Sequence, residues 1–184
     1  LERTGLPSEA LISEAQRFDL IVVPRDANYH FATQEHDGDT IAALLRGAGR
    51  PLVIVPPSLP PQHSVVVAYD GSVQAARTLQ IFQTLALNGV DPVHIVTVGE
   101  ERLPAAKCAD RAIEFLRAHE VQAEQHIVIT GDSPGKAILA EACRLGAGML
   151  VMGACGQPRV REFLFGSATQ HVIAHSTIPL FLYH

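Results

Sequence analysis

The sequence of 184 residues lacks tryptophan, has only three cysteines, and contains no apolar run long enough to span a membrane. The odd cysteine count without CxxC spacing, at Cys108, Cys143 and Cys155, favours reduced thiols over a disulfide framework. The first residues also lack the charged and then apolar pattern of a signal peptide. Acidic residues outnumber basic ones and give a net charge of −5. This charge argues against binding nucleic acid through a basic surface. We therefore expect a globular, cytoplasmic protein that binds neither membranes nor nucleic acids.

Apolar segments alternate with segments of helical periodicity from residue 64 to the C-terminus. Five predicted strands cover residues 64–69, 93–98, 121–129, 149–152 and 178–183. Four predicted helices separate them, at residues 73–87, 105–119, 134–145 and 168–174. The third strand is more polar than the others, which predicts that it lies at an edge of the sheet. The alternation is typical of an open, parallel α/β sheet of five strands with helices on both faces.

Three glycines interrupt the chain between the fourth strand and the last helix, in the segment MGACGQPRVREFLFGSATQHVI at residues 152–173. Gly153 follows the apolar run of the fourth strand, and Gly166 precedes the helix, with Ser167 near the N-cap. Clustered glycines indicate backbone that bends sharply or approaches another group closely. A strand, a glycine loop and a helix N-terminus together present unpaired N–H groups and the positive end of a helix dipole. The segment therefore predicts an anion-binding site.

The first third of the chain repeats the last third. Four landmarks recur at offsets of 127 to 129 residues: Glu14 as Glu141, Pro24 as Gly153, Gly38 as Gly166, and Pro51 as Pro179. An offset this constant predicts an internal repeat. Residues 1–56 are then the C-terminal half of a degenerate first repeat, residues 57–63 a proline-rich linker, and residues 64–184 a complete domain. We expect the chain to be a piece of a tandem protein whose first half-repeat lies upstream.

Two motifs resemble those of the universal stress protein family. The spacing Gly153-x2-Gly156-x9-Gly166-Ser167 is similar to the G-x2-G-x9-G-[S/T] signature of the family's ATP-binding branch. The segment SVVVAYDGS at residues 64–72 resembles the family's first strand and the turn after it. The resemblance implies an adenine nucleotide alpha hydrolase-like sheet with the strand order 3-2-1-4-5. It also implies a site for ATP, with Mg²⁺ on the phosphates, where the first and fourth strands end.

The resemblance implies a role for each matching residue. Three residues would contact the adenosine: Ala68, Asp70 and Val98. Two would line the ribose side: Met152 and Gly153. Four would admit and hold the phosphates: Gly156, Gly166, Ser167 and Ala168. The corresponding loop can border the nucleotide in this family, which adds Gly131 as a further candidate.

The first repeat does not match the signature. Pro24 and Ala27 replace the first two glycines, the spacer has ten residues instead of nine, and Asp39 replaces the serine. Proline removes an N–H, and Asp39 would add a negative charge beside the phosphates. We therefore predict that this half does not bind ATP and has a structural role. Because family members commonly pair through their last strands, the resemblance implies a contact between residues 52–55 and 180–182, between repeats or in a homodimer.

The segment GDSPGKA at residues 131–137 is partly similar to a P-loop. Its glycines are one residue too close together, and neither Ser nor Thr follows Lys136, so we favour a simple helix start. His171 and His175 have i, i+4 spacing, which suits either a metal pair or two ordinary helix residues. Because no acidic ligand lies nearby in the sequence, we favour ordinary helix residues and predict no metal site.

Two features of the glycine loop have alternative interpretations. Cys155 is either a thiol whose pKa the helix terminus lowers or a small residue that the loop tolerates. Arg159 and Arg161 either contact the γ-phosphate, since Arg suits phosphate oxygens, or are solvated loop charges.

The function that these patterns favour is an ATP-binding stress-response or signalling module rather than a dedicated enzyme. No pair of residues in the motif supplies an evident general base or nucleophile, so fast hydrolysis is not expected. Slow ATP hydrolysis and self-phosphorylation at Ser167 stay open. The alternative is a structural or interaction protein of the same fold that binds no nucleotide. An enzyme that transfers adenylate ranks last.

Overall fold

The computed structural model describes residues 6–25, 40–87, 92–154 and 166–184. Within these ranges the chain forms six helices and seven strands, in the order α1 (Pro7–Ala15), β1 (Ile21–Pro24), α2 (Thr40–Gly47), β2 (Leu52–Val55), β3 (Ser64–Ala68), α3 (Val73–Thr84), β4 (Val93–Gly99), α4 (Arg102–Ala118), β5 (Ala123–Ile129), α5 (Pro134–Arg144), β6 (Ala147–Gly153), α6 (Ser167–His175) and β7 (Leu180–Tyr183). None of the described helices combines the length and the apolar character needed to cross a membrane. The alternation of strands and helices confirms the predicted α/β class.

The described strands all join one sheet, in the order β1-β2-β7-β6-β3-β4-β5. Every neighbouring pair is parallel except β2 and β7, which are antiparallel. The five strands predicted for residues 64–184 are present and mutually parallel, but the described sheet as a whole has seven strands and is mixed rather than purely parallel. The strands of residues 64–184 run β5-β4-β3-β6-β7 across the sheet, and β1 and β2 extend it beyond β7 because β2 pairs with the apolar edge of that strand. The polar strand β5 lies at one edge, as its composition predicted.

The antiparallel pairing of β2 with β7 joins two segments of the chain, the first before residue 56 and the second from residue 64 onward. Leu52 lies opposite Leu182, Ile54 lies opposite Leu180, and all four side chains are buried. The contact predicted between these two strands is confirmed, and it occurs within one chain. Because β6 occupies the other side of β7, neither edge of β7 is available to a second copy of the chain.

Helices lie on both faces of the sheet, because successive strand residues point to opposite sides. On one face α3 packs against β6 and β7, and α4 packs against β4 and β5. On this face Phe82 of α3 meets Phe181 of β7 edge to face, with ring centroids 5.4 Å apart. The other face carries α1, α2, α5 and α6, which share one apolar cluster with the strands. The face with α3 and α4 is open at β1, where Val22 is 59% exposed.

Local sequence signals set the helix boundaries. Pro134 starts α5, where the missing N–H has no intrahelical acceptor in any case. Ser72 caps α3, and its Oγ accepts a hydrogen bond from the Ala75 N–H at 3.1 Å. At α6 the N-cap is Gly166, so Ser167, which was predicted near the cap, is the first helical residue.

We predict that Phe181→Ala lowers the free energy of unfolding by about 3–5 kcal/mol, the usual loss when a buried aromatic residue is truncated. Phe181 is fully buried in β7 between β2 and β6, so its removal weakens the packing of both chain segments. Urea unfolding followed by circular dichroism measures the change. Val22→Ala is the control, because truncation of this exposed strand residue should change the same free energy by less than about 0.5 kcal/mol. Equal losses in the two variants would contradict the assigned core.

Candidate functional site

A cavity of about 260 Å³ lies at the carboxyl ends of β3, β4 and β6. Its walls come from the ends of these strands and from the starts of three helices: Ala68, Tyr69, Asp70, Ser72, Ala75, Val96, Val98, Pro134, Ile138, Met152, Gly153, Gly166, Ser167, Ala168 and Thr169. The helices that follow β3 and β6 pack on opposite faces of the sheet, so the cavity lies at a topological switch point. This is the place where open α/β sheets bind their ligands.

Three neighbouring strands form the apolar floor of the cavity. In the register of the sheet, Ala68 of β3 lies beside Val96 of β4 and beside Met152 of β6. Val98, two residues beyond Val96, extends the same face toward the end of β4. Because Ala68 has the smallest of these side chains, the middle strand leaves room above the sheet. The floor can accommodate a flat apolar group.

The turn after β3 holds Asp70 at the cavity. Asp70 Oδ1 accepts a hydrogen bond from the Ser72 N–H at 2.9 Å, which fixes the turn. Gly71 has a φ of 76°, and a Cβ added there would lie 2.8 Å from Cys108 Sγ, so the turn requires glycine. Because a carboxylate has several acceptor positions, Asp70 can hold this turn and still accept hydrogen bonds from a ligand.

The first turn of α6 forms another wall of the cavity. Its N-cap, Gly166, has no side chain to cap the helix. The N–H groups of Ser167, Ala168 and Thr169 belong to the first turn, so they lack intrahelical acceptors. Together with the positive end of the helix dipole, these N–H groups favour an anion at this wall.

Gly135 lets α5 pack closely against α6. A Cβ at Gly135 would lie 2.9 Å from the Ala168 carbonyl oxygen and 2.9 Å from His171 Cβ. Two other residues of α5 line the cavity: Pro134, which precedes Gly135, and Ile138, one turn further along the helix. The segment GDSPGKA therefore forms a helix start, and its second glycine serves helix packing rather than a P-loop.

Gly153 has a packing role in addition to its place at the cavity. A Cβ at Gly153 would lie 2.8 Å from the Ala75 nitrogen and 2.9 Å from the Gln74 carbonyl carbon. The first turn of α3 can therefore reach the end of β6 only because residue 153 has no side chain. This close contact puts the starts of α3 and α6 at the same cavity.

The structure brings together most of the residues that the resemblance implied. Eight of them line the cavity: Ala68, Asp70, Val98, Met152, Gly153, Gly166, Ser167 and Ala168. Gly131 is not among the lining residues, and Gly156 lies outside the described residues. Sequence reasoning missed seven lining residues: Tyr69, Ser72, Ala75, Val96, Pro134, Ile138 and Thr169. Strand periodicity could have identified Val96, which lies two residues before Val98 on the same face.

Two neutral titratable groups lie near Asp70. Burial raises the pKa of the Tyr69 hydroxyl, and burial and then the Asp70 carboxylate raise the pKa of the Cys108 thiol. Cys108 Sγ lies 3.9 Å from the Tyr69 carbonyl oxygen, to which the thiol can donate. Both groups stay protonated at pH 7, so neither is an activated nucleophile. Of the described residues that line the cavity, only Asp70 carries a charge.

The two histidines of α6, His171 and His175, contact each other along the helix. Their rings stack with centroids 4.2 Å apart, and His175 Nδ1 lies 2.9 Å from the His171 carbonyl oxygen, to which it donates. Within the described ranges, neither joins other His, Cys, Asp or Glu side chains in a group that converges on one point. Cys155, Arg159 and Arg161 lie outside the described residues, so the alternatives for them stay predictions.

These features define an α/β protein with a ligand-sized cavity at the switch point of its sheet. The sequence profile of the universal stress protein family matches residues 62–184, which is more than half of the chain. The chain belongs to the universal stress protein family.

Comparison with individual proteins extends the likeness over nearly the whole chain. A universal stress protein of Synechocystis sp. is 24% identical over 180 residues, which cover 98% of this chain and 63% of that protein. A solved universal stress protein of Archaeoglobus fulgidus DSM 4304 is 24% identical with a TM-score of 0.70, over 96% of this chain and 64% of that one. A universal stress protein solved in complex with cAMP is 25% identical with a TM-score of 0.56, over 69% of this chain and 98% of that one. The chain thus spans less than two thirds of the length of the first two relatives.

We predict that Gly135→Val lowers the free energy of unfolding by about 1–3 kcal/mol, because the added side chain overpacks the contact between α5 and α6. Gly131→Val is the matched control, since nothing lies within 4 Å of a Cβ at that position. The control should stay within about 0.5 kcal/mol of the wild type. Urea unfolding compares the two variants, and a Gly135→Val protein as stable as the wild type would rule out the close helix contact.

Proposed function

We propose that this protein binds an adenine nucleotide, with ATP as the expected ligand, in the cavity between β3 and β6, and that it acts as a stress-response or signalling module. The observation that carries the proposal is the convergence on this cavity of eight residues that the family resemblance implied. These residues come from β3, β4, β6 and α6 and from the turns next to them, between residues 68 and 168. A common ligand would explain why residues so far apart in the sequence line one cavity.

In this proposal the adenine lies against the apolar side of the cavity, next to Val96, Val98 and Ile138. Asp70 accepts hydrogen bonds from the ribose hydroxyls through the acceptor positions that the Ser72 N–H does not use. Met152 lies beside Ala68 in the sheet and borders the ribose. The relative solved in complex with cAMP supports an adenine nucleotide as the class of ligand.

The phosphates lie at the first turn of α6, where N–H groups without intrahelical acceptors and the helix dipole favour negative charge. Gly166 leads into the helix in an extended conformation and has no side chain, so phosphate oxygens can approach the backbone of Ser167 and Ala168. Gly153 and Gly156 join this part of the proposal through the spacing of the signature, although Gly156 lies outside the described residues. The phosphate oxygens and water would supply the main ligands of a bound Mg²⁺.

We propose binding without fast turnover. Only Asp70 and Tyr69 titrate among the described lining residues, and burial raises the pKa of Tyr69. Asp70 already accepts the Ser72 N–H, and neither group forms a base–nucleophile pair within the described part of the cavity. A binding and signalling role therefore suits this cavity better than catalysis.

Residues 1–56 have a structural role in this proposal. The order α1-β1-α2-β2 is the same as that of α5-β6-α6-β7, which supports the interpretation of an internal repeat joined by a linker at residues 57–63. The described lining residues of the cavity all lie beyond residue 64. The first segment contributes β2, which covers the edge of β7 and completes the sheet.

Nucleotide occupancy would act through the helices around the cavity. The starts of α3, α5 and α6 all line it, so one ligand contacts three helices at once. We propose that a partner protein or a second copy of the chain responds to this change. A homodimer would use a surface other than β7, because β2 and β6 occupy both edges of that strand. The expected site of action is the cytoplasm.

A structural protein of the same fold that binds no nucleotide is the second candidate. The pairing of β2 with β7 favours it, because this pairing completes the sheet without any ligand. The absence of a heat signal on titration with millimolar ATP would support this alternative over nucleotide binding.

We predict that Ser167→Glu weakens ATP binding at least about tenfold, which corresponds to about 1.4 kcal/mol. The new carboxylate at the first residue of α6 would repel the phosphates. The same carboxylate interacts favourably with the positive end of the helix dipole, so the variant should still fold. Adenosine, which has no phosphate, should lose much less affinity. Isothermal titration calorimetry with ATP and with adenosine measures both effects.

Leu103→Glu is the matched control, because Leu103 lies in the first turn of α4, is 67% exposed and does not line the cavity. This variant should bind ATP as tightly as the wild type. Equal losses in both variants, or wild-type affinity in Ser167→Glu, would refute phosphate binding at α6. Mass spectrometry of small molecules released from the heated wild type identifies any nucleotide that copurifies.

A further inference from the structure

Three side chains with metal-binding atoms meet near the β5 edge of the sheet, apart from the cavity. His94 of β4 pairs with Glu124 of β5, and His126 lies two residues further along β5. Because alternate strand residues share a face, all three side chains project to the face that carries α5. The group has no sequence motif, since its members come from two strands and meet only through the register of the sheet.

The distances between the ligand atoms suit a transition-metal ion. His94 Nδ1 and His126 Nε2 are 3.1 Å apart, and Glu124 Oε2 lies 3.9 Å from His94 Nδ1. All three atoms lie within 4.8 Å of one another. A tetrahedral zinc ion with bonds of about 2.0–2.1 Å separates its ligand atoms by about 3.3 Å. The two imidazoles are therefore nearly in place, and Glu124, which is 78% exposed, can rotate over the remaining distance.

A second carboxylate supports His126 from the other side of the ring. Glu141 Oε1 lies 3.8 Å from His126 Nδ1, and Arg144 holds Glu141 with two hydrogen bonds of 2.6 and 2.9 Å. Metal-bound histidines commonly direct their second ring nitrogen to a carboxylate, which fixes the tautomer. Burial lowers the pKa of His126, and the hydrogen bond from Arg144 lowers the pKa of Glu141.

A hydrogen bond between the two histidines is the competing explanation of their contact. It accounts for the 3.1 Å between His94 Nδ1 and His126 Nε2, and Arg144 Nη2 lies 3.4 Å from the other nitrogen of His126. It does not account for Glu124, whose Oε2 lies 3.9 Å from His94 Nδ1, whereas Arg144 already holds Glu141. The two carboxylates outnumber the single guanidinium of Arg144 around these histidines, and this surplus of negative groups favours a bound cation.

We propose that His94 Nδ1, His126 Nε2 and the Glu124 carboxylate bind one divalent transition-metal ion, with Zn²⁺ as the reference ion and water as the fourth ligand. Imidazole ligands favour Zn²⁺, Co²⁺ or Ni²⁺ over Mg²⁺, so this site differs in chemistry from the phosphates of a nucleotide. The ion holds edge strand β5 to β4, and Glu141 connects the site to α5. The proposal does not depend on nucleotide binding in the cavity.

Zn²⁺ titration of the chelator-treated chain tests the proposal. We expect one tight site in the wild type and an affinity at least about 100-fold lower in His126→Gln, because a lost ligand weakens binding no less than a lost outer-shell partner. Glu141→Gln keeps all three ligands and should weaken binding about tenfold. The double variant His171→Gln with His175→Gln is the control, since it removes two other histidines, and it should bind as the wild type does.

Cysteine thiolates could also bind the added metal ion. The absorption spectrum of bound Co²⁺ distinguishes thiolate ligands from imidazole and carboxylate ligands. Co²⁺ bound by imidazole and carboxylate gives visible absorption bands without the near-ultraviolet charge-transfer band of a thiolate ligand. Three results would each overturn the proposal: a thiolate band at one equivalent of Co²⁺, loss of binding in the double variant of His171 and His175, or unchanged affinity in His126→Gln. If circular dichroism shows that His126→Gln does not fold, the exposed Glu124→Gln takes its place, with binding expected to weaken at least about tenfold.

Discussion

The parallel pairing of β3 with β6 is the constraint on which the rest of the structure depends. It places Ala68 beside Met152, although two strands and three helices lie between these residues in the sequence. The helix that follows β3 packs on one face of the sheet and the helix that follows β6 packs on the other. The two strand ends are therefore adjacent while their helices diverge, and this divergence opens the cavity. The turn at Asp70 and the first turn of α6 reach the cavity for the same reason.

Glycines make this arrangement possible through close packing as much as through freedom of the backbone. At Gly153 a Cβ would clash with the first turn of α3, and at Gly135 it would clash with the backbone of α6. Both contacts bring a helix start to the cavity wall. The glycine at the end of β6 is thus required by the helix contact, and in the proposed complex it would also let a ligand approach the backbone closely.

The strands at the margins of the second segment meet different physical demands. β7 is apolar, and its exposed edge would attract other strands, so the antiparallel pairing with β2 protects it and unites the two segments. Among the described strands β5 pairs on one side only, and its polar side chains discourage association with another sheet. The register of β4 and β5 brings two of these polar residues, Glu124 and His126, next to His94, where the proposed metal ion would bind.

The sequence by itself determined the α/β class, the order of the elements and the position of the glycine loop, because apolar periodicity and turn residues are local properties of the chain. The predicted strand at residues 64–69, for example, is observed as Ser64–Ala68. The family resemblance added eight residues of the cavity and the contact between β2 and β7. Only the tertiary structure decided that the sheet has seven described strands, that Ile138 reaches the cavity, and that His94 meets Glu124 and His126. These outcomes depend on strand register and helix packing between distant segments, and no local pattern in the sequence specifies either.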